Sequence, residues 1–526
     1  RTLGCFQIES PGQRELIGKF GPSDFTDIII DISLFRPGPV KSDMVRPFLD
    51  VRQGWDTARY LHPDLEPVLR ETCGVVVFHE QVIAMIAILT GCSLAEGDEA
   101  RRALGDREAL TGLQGWFRSA ALQRGYAEPV VEAAWAVLAG FGSFGFCKAH
   151  AAAFALPTYQ SAWLKTHWPA HFLAGVLTHD PGMYPKRLIL EEARRSGVEV
   201  LGLDVNRSAE TYRVEQLAGR WGIRLALAEV KGISSAELAR ITTGRPYRSL
   251  ADFWNRADVS RPVTERLVLA GAFDRLHEIR PATSVQRHGR LTRRDLLLAV
   301  ADLDRDTRAA NRASRARARG LGGGPHGVQA IQLPLDFDTD REITASGLSE
   351  MTDAERVRAE LSVLGLDASR HVVDFYRPML EALGVSWSKD LLRVRRRSHL
   401  LVAGVKVATQ APPLRSGRRV VFLTLDDTTG PVEATFFDDV LGRCARTLFE
   451  SWLLVVQGDL RRTGPRGVSL RAHGCWDLGA LFEVWRSEHE LTGDPARALA
   501  AVRDLLGEAP QQRGPCGNRA PDHHTY

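Results

Sequence analysis

Lysine is scarce in this sequence, with eight residues against 60 arginines. A GC-rich coding sequence accounts for such a ratio. Its physical consequence is that cationic contacts rest on arginine, whose flat, permanently charged fork suits phosphate oxygens. Net charge is low as well, +4 over 526 residues. That excludes a histone-like protein and confines any nucleic-acid contact to local patches. Long apolar runs are missing: no stretch reaches the roughly 18 residues that a membrane-crossing helix needs, so no membrane role is expected. The seven cysteines (Cys5, Cys73, Cys92, Cys147, Cys444, Cys475, Cys516) are odd in number and form no Cys-x-x-Cys pair. This argues against a disulfide framework and a structural zinc site, and fits a reducing cytoplasm. No metal site is expected in this chain. Position 1 is Arg and no signal or transit peptide follows. The start reads as a cut edge, with more sequence expected before it in the intact protein.

What is present is ordinary for a globular chain: 44% hydrophobic and 25% charged residues. At roughly 150 residues per domain, the length suggests about three or four domains. Residues 1–195 form one mostly helical block. In Glu80 to Gly91, Val82, Met85, Ile86 and Leu89 recur on one helix face and Gly91 stops the helix. Gly74-Val-Val-Val-Phe78 reads as a buried strand or tight extended segment. Residues 196–290 shift to short helices and turns. Residues 291–345 read as a basic low-complexity connector, with six arginines and one acid between Arg305 and Arg319, then Gly322-Gly-Gly-Pro325. It either touches phosphate or is a solvated helix end on a flexible tether. Residues 346–398 are helical again. Over 399–480 the period becomes two, with about five strands in about 75 residues, which suits a small barrel of the OB type. A short helix and a disordered polar tail are expected for 481–526. The fold class is therefore multidomain, mainly α, followed by a small all-β OB-type barrel.

Several short motifs stand in one order: Gly4-Cys-Phe-Gln-Ile-Glu-Ser10, Leu34-Phe-Arg-Pro-Gly-Pro39, Gly74-Val-Val-Val-Phe-His-Glu-Gln81, Arg101-Arg-Ala-Leu-Gly105, and Phe144-Gly-Phe-Cys-Lys-Ala-His-Ala-Ala-Ala-Phe154 followed by Tyr159-Gln-Ser-Ala-Trp-Leu-Lys165. Together they resemble the fingers region of bacterial C-family DNA polymerases, the replicase alpha-subunit family. Leu225 to Phe273 is similar to that family's helix-hairpin-helix region. Val357 to His371, with a barrel so near the end of the chain, looks like the error-prone, damage-tolerance branch. On this resemblance, 1–195 is the fingers domain, 196–290 the hairpin region and 399–480 the template-side barrel.

The resemblance implies roles residue by residue. Arg101 and Arg102 look like the pair that grips the nucleotide triphosphate, where multidentate donors are needed. Lys148 and His150, between Gly142/Gly145 and a run of small residues, are further nucleotide contacts. Arg36, in its Pro-Gly-Pro turn, and Lys165 are expected on DNA. So are Lys231, Gly232 and Ser234, where a hairpin presents backbone N–H groups to phosphate; Ser234 could equally cap a helix. Arg395, Arg396 and Arg397, with Arg415, Arg418 and Arg419, are candidate phosphate contacts of the barrel. Gln332, Leu335 and Phe337 resemble a peptide that binds the sliding clamp, or else form a strand packed on a neighbour. Glu80 and Gln81 read as a polar pair that holds the fingers without touching substrate. One departure stands out: Gly105 is followed by Asp106-Arg-Glu108, where the family commonly has basic residues.

No catalytic residue is assigned to this chain. Two-metal nucleotidyl transfer needs clustered carboxylates on a palm sheet. The acids at alternate positions here, Asp302/Asp304/Asp306 and Asp336/Asp338/Asp340, read as solvated. In the family the palm carboxylates, and the Mg²⁺ they hold, lie upstream of the Gly-Cys-Phe-Gln segment. The leading expectation is the C-terminal part of an error-prone DNA polymerase acting in translesion synthesis. Its partners would be primer-template DNA, deoxynucleoside triphosphates, the sliding clamp and other damage-tolerance proteins. A fragment of the replicative alpha subunit and a non-catalytic DNA-binding remnant are the alternatives.

Overall fold

Ser93, Ser234 and Thr352 each open a helix with a reciprocal capping box. Each hydroxyl accepts the backbone N–H three residues on, and Glu96, Glu237 and Glu355 return the bond. The computed structural model in which these helices sit describes residues 1–34, 45–106, 108–141, 146–180, 182–280, 290–320, 343–412, 419–462 and 467–507; of residues 314 and 316–320 it describes the backbone alone. The chain divides into two compact units. The first is Arg1–His167 with Val385–Gly479, and the second is Trp168–Gly384 with Ala480–Tyr526.

In the first unit the helix His79–Thr90 is central to the α part. It runs to Gly91, which takes a left-handed φ of 77° as the sequence pattern requires. Val82, Met85, Ile86 and Leu89 bury its predicted face against Leu65, Leu104, Phe117 and Leu138. Gly74 turns the chain at a left-handed φ of 83°, Val76, Val77 and Phe78 after it are buried, and Phe78 makes an isolated parallel bridge to Phe146. A second core joins Phe20, Ile32, Phe48 and Phe78 to Ala151 and Ala155 of the 20-residue helix Lys148–His167.

The β part is a closed five-stranded barrel. Strands His399–Gln410, Val420–Asp426 and Pro431–Phe437 pair in order; Val468–Asp477 follows the third in parallel, and Leu453–Arg462 closes back on the first. Inward alternation puts Val402, Leu423, Ala434, Val456 and Leu470 in one core. The helix Asp438–Glu450 separates third and fourth strands. Lys406 closes its end by donating to the carbonyls of Leu448 (2.9 Å) and Phe449 (2.8 Å), a position where the helix dipole favours a cation. Arg14 pairs with Glu433 of the barrel at 3.2 Å.

The second unit is helical around a three-stranded sheet, Glu199–Leu201, Arg213–Leu217 and Arg220–Arg224, with the last strand central. Lys186 reaches Glu229 at 2.7 Å and Arg187 reaches the buried Asp367 at 3.1 Å.

Four segment expectations change. The block read as 1–195 breaks at His167, where Trp168-Pro169 starts a new helix and the second unit. Residues 196–290 contain a sheet that was not anticipated. The connector read over 291–345 is helical from Arg293 to Gly320. Its Ala and Arg content favours helix, and Asp302–Arg305 and Asp304–Arg308 pair along it. Asp304, expected to be solvated, is instead shielded between Arg308 (3.0 Å) and Arg261 (3.1 Å). The region after the barrel carries two helices, Leu478–Thr492 and Pro495–Gly507, instead of one short one.

Candidate nucleic-acid interface

Arg101 and Arg102 occupy the last turn of the helix Leu94–Ala103. Three and four residues earlier stands Asp98, and both guanidiniums close on it. Arg101 donates from Nε at 3.0 Å and lies 2.9 Å away through Nη2; Arg102 lies 2.7 Å from the other oxygen. The bond from Arg101, with the charges of both arginines, holds the Asp98 carboxyl below its usual range. Arg101 is 22% exposed and Arg102 72%. The clasp fixes one fork and leaves the other open to solvent. A polyphosphate would meet two guanidiniums already held side by side.

Lys148 opens the helix Lys148–His167. Its backbone N–H and that of Ala149 donate to Glu80. Burial alone would raise the Glu80 carboxyl; the bonds from these N–H groups and the Cys147 thiol outweigh it and hold the group low. The Lys148 ammonium is paired with Glu71 at 2.6 Å and lies 5.6 Å over the Phe78 ring. His150 is exposed between Phe146 (5.2 Å) and Phe154 (4.4 Å), and Phe154 stacks on Phe6 at 5.6 Å. These rings at helical spacing form an aromatic face that sequence reasoning did not single out. Gln81 is buried and spends its amide internally: its oxygen accepts from Val77 and Phe78, and its NH₂ donates to Val68 and Thr72. Glu80 and Gln81 thus both hold the fold at the start of the same helix, His79–Thr90.

Lys165 departs from the expectation of a DNA contact. It is 7% exposed, and its ammonium donates to the carbonyls of Arg1 (2.9 Å) and Leu3 (2.7 Å). A buried ammonium with these partners anchors the N-terminal segment and offers nothing to a phosphate.

In the second unit Gly232 sits at a φ of 78°, and a Cβ there would run into the Arg266 guanidinium, which donates to the Lys231 carbonyl at 2.6 Å. The turn therefore requires glycine. Ser234 caps the helix Ser235–Thr243. Glu237 binds the Ser234 N–H (2.9 Å) and hydroxyl (2.8 Å) and the Ser260 N–H (3.0 Å). Burial pushes its carboxyl up, but these bonds prevail and bring it to about 2. Lys231 is exposed beside this turn.

Arg395, Arg396 and Arg397 are exposed in a turn at the start of the first barrel strand. Arg397 takes a left-handed φ of 65°, and its N–H is fixed to the Leu460 carbonyl at 2.9 Å. Phe436 is core, while Phe437 is half-buried beneath Arg471 at 5.4 Å. The structure thus gathers three arginines at the barrel entry, and keeps the hairpin residues in the other unit. Arg36, Gly142, Gly145, Gln332, Leu335, Phe337, Arg415 and Arg418 lie outside the described residues.

Sequence reasoning missed one constellation entirely. His399, Asp459 and His473 meet on the barrel's outer face, with candidate ligand atoms all within 4.8 Å of one another. They are 60 and 14 residues apart along the chain, so spacing gives no signal. A two-imidazole, one-carboxylate set is a poor match for Mg²⁺, which prefers oxygen ligands. Among the described residues nothing else gathers a metal-ligand cluster. The residues present therefore do not fit a two-magnesium centre.

Three family models match the chain in order. Residues 1–125 match the bacterial DNA polymerase III alpha subunit finger domain, 197–283 a helix-hairpin-helix motif, and 400–478 an OB-fold nucleic acid binding domain. A finger domain, a hairpin motif and an OB fold thus follow one another along the chain. The chain is similar to bacterial DNA polymerase III alpha subunits and error-prone DNA polymerases. It is 36% identical over 85% of its length to the error-prone DNA polymerase of Symbiobacterium thermophilum, covering 43% of that protein. It is 30% identical over 92% of its length to the DNA polymerase III subunit alpha of Vibrio cholerae, covering 41%. The error-prone DNA polymerase of Bdellovibrio bacteriovorus is 30% identical over 91% of the chain, with 44% of that protein covered. The chain spans less than half the length of these relatives. No helix among the described residues is by itself long and apolar enough to cross a membrane.

Proposed function

We propose that this chain is the nucleotide- and DNA-gripping part of an error-prone DNA-directed DNA polymerase. The observation that carries the reading is the co-linear match of finger domain, hairpin and OB barrel to relatives named as such. Arg101 and Arg102 receive the triphosphate of an incoming deoxynucleotide. Lys148 flanks that site, and His150 with its neighbouring rings offers a stacking surface. Lys231, Gly232 and the capped turn at Ser234 hold the duplex by its backbone. Arg395 to Arg397 lead the single-stranded template past the barrel. Gln332, Leu335 and Phe337 take the sliding clamp.

The carboxylates that hold the two Mg²⁺ ions belong to the rest of the intact protein, and the reaction takes place in the cytoplasm with other damage-tolerance proteins. The test is primer extension by the intact protein on undamaged and lesion-bearing templates. Extension past lesions with frequent misinsertion is the expected outcome; accurate synthesis that stalls at every lesion defeats the error-prone assignment. The replicative alternative draws on the match to the Vibrio cholerae alpha subunit. Stable association of the intact protein with the clamp loader's tau subunit would favour it.

A further inference from the structure

Three adjacent barrel strands converge on one patch. His399 begins the first strand, Asp459 lies near the end of the fourth, and His473 lies in the fifth. His399 and Asp459 are direct cross-strand partners. His473 falls in a bulge: Ala472 pairs with Gly458 and Gly474 with Gln457, and His473 is the extra residue between them. Bulges of this kind re-aim a side chain and recur beside functional sites. This one is built on Gly458, where a Cβ would run into the Arg471 carbonyl. Arg443 fixes the bulge from outside by donating to the His473 carbonyl at 2.9 Å.

The result is one carboxylate held from both sides. His399 Nδ1 stands 3.0 Å from Asp459 Oδ1, and His473 Nε2 2.8 Å from Oδ2. The two imidazoles lie 5.7 Å apart, stacked at 28°. All three side chains are partly exposed, at 54%, 42% and 33%. The nearby cation Arg471 is turned to Asp439 (3.4 Å) and the Phe437 ring.

We propose that His399, Asp459 and His473 form a site for a borderline divalent cation of the zinc class, with water completing a tetrahedron. Two imidazoles and a carboxylate are a donor set that such ions favour. Bonds of roughly 2.0–2.1 Å at tetrahedral angles put ligand atoms about 3.3 Å apart. The two nitrogen–oxygen separations need a small opening, and the candidate ligand atoms already lie within 4.8 Å of one another. The ion ties the strand pair that closes the barrel to the strand beside it. It belongs to the barrel's own structure and is independent of the two-metal centre of nucleotidyl transfer.

The test is titration of the chelator-stripped full-length chain with Co²⁺, followed by displacement with Zn²⁺. About one equivalent should bind at micromolar or tighter affinity with the visible absorption of a four-coordinate site. The thermal midpoint should rise with Zn²⁺ concentration, because an ion that binds only the folded state stabilises it by mass action. His399→Ala with His473→Ala should weaken binding at least about 100-fold. His523→Ala with His524→Ala, in the polar tail, should leave it intact. Should the double alanine variant fail to fold, Asp459→Asn, which keeps shape at an exposed position, serves the same purpose. Unchanged binding in the barrel variants, loss in the tail variant, or affinity no better than millimolar without visible bands would each overturn the proposal. The three residues would then be a hydrogen-bonded triad and nothing more.

Discussion

Asp98 sets the resting geometry of Arg101 and Arg102, and its position three and four residues upstream makes the clasp a local property of the helix. Charge-assisted bonds to a phosphate contribute about 1.5–3 kcal/mol each. Replacing both arginines by alanine in the intact protein is expected to raise the nucleotide KM by roughly 10- to 100-fold in steady-state primer extension. DNA affinity should change far less. An unaltered KM would remove the triphosphate role. Lys165 gives the opposite expectation. Lys165→Met leaves two carbonyls without their cation and should cost about 2–4 kcal/mol in thermal or denaturant unfolding, with no loss of DNA affinity. A fall in DNA affinity without a fall in stability would return Lys165 to the interface. The two cases differ in legibility. The Asp98 spacing was visible in the sequence, where Asp-x-x-Arg-Arg on one helix already implies the pairing. Nothing in the string around Lys165 announces that Arg1 and Leu3 come to meet it.

Individual elements carry their own pH dependence. Glu237 joins the start of its helix to Ser260, and its carboxyl lies at about 2 in the fold, against roughly 4.3 in an unfolded chain. A depressed carboxyl stabilises the fold above the unfolded value, and the contribution disappears as pH falls from about 4.3 towards 2. Glu237→Gln should lower the thermal midpoint at neutral pH and flatten its decline across that window. An identical pH profile in the variant would show that Glu237 has no part in it. Elements whose periodicity answers to one buried face were readable in advance: the helix His79–Thr90 and a five-stranded barrel within 399–480 stand where their alternation puts them. The sheet Glu199–Arg224 was not, because its strands are three to five residues long and show no sustained apolar alternation. The Arg-rich half of Arg293–Gly320 resembled a tether in composition. Its helix is held in place by tertiary contacts such as Arg261–Asp304 and the Trp254–Thr307 bond of 3.0 Å. The His399–Asp459–His473 patch needed the barrel to close before it existed.

At the scale of the whole chain, arginine supplies nearly all mobile positive charge. If Arg395, Arg396 and Arg397 each neutralise one phosphate of a single strand, log affinity should fall with log salt at about 0.7 per contact. Changing all three to alanine should then flatten the slope by about 2, read by fluorescence anisotropy across a salt series. A parallel slope would place these arginines off the strand. The few lysines have a different fate. Lys19 pairs with Glu15, Lys148 with Glu71 and Lys186 with Glu229, while Lys165 and Lys406 are held by backbone carbonyls. Lys231 and Lys389 are exposed. Acylation chemistry, whether by a cross-linking reagent or by a cell's acetyl donors, therefore finds few reactive amines here. Neutralising Lys231 would remove one proposed backbone contact, whereas the guanidiniums of Arg101, Arg102 and Arg395 to Arg397 would keep their charge, so the proposed arginine contacts are insulated from the commonest way of erasing positive charge.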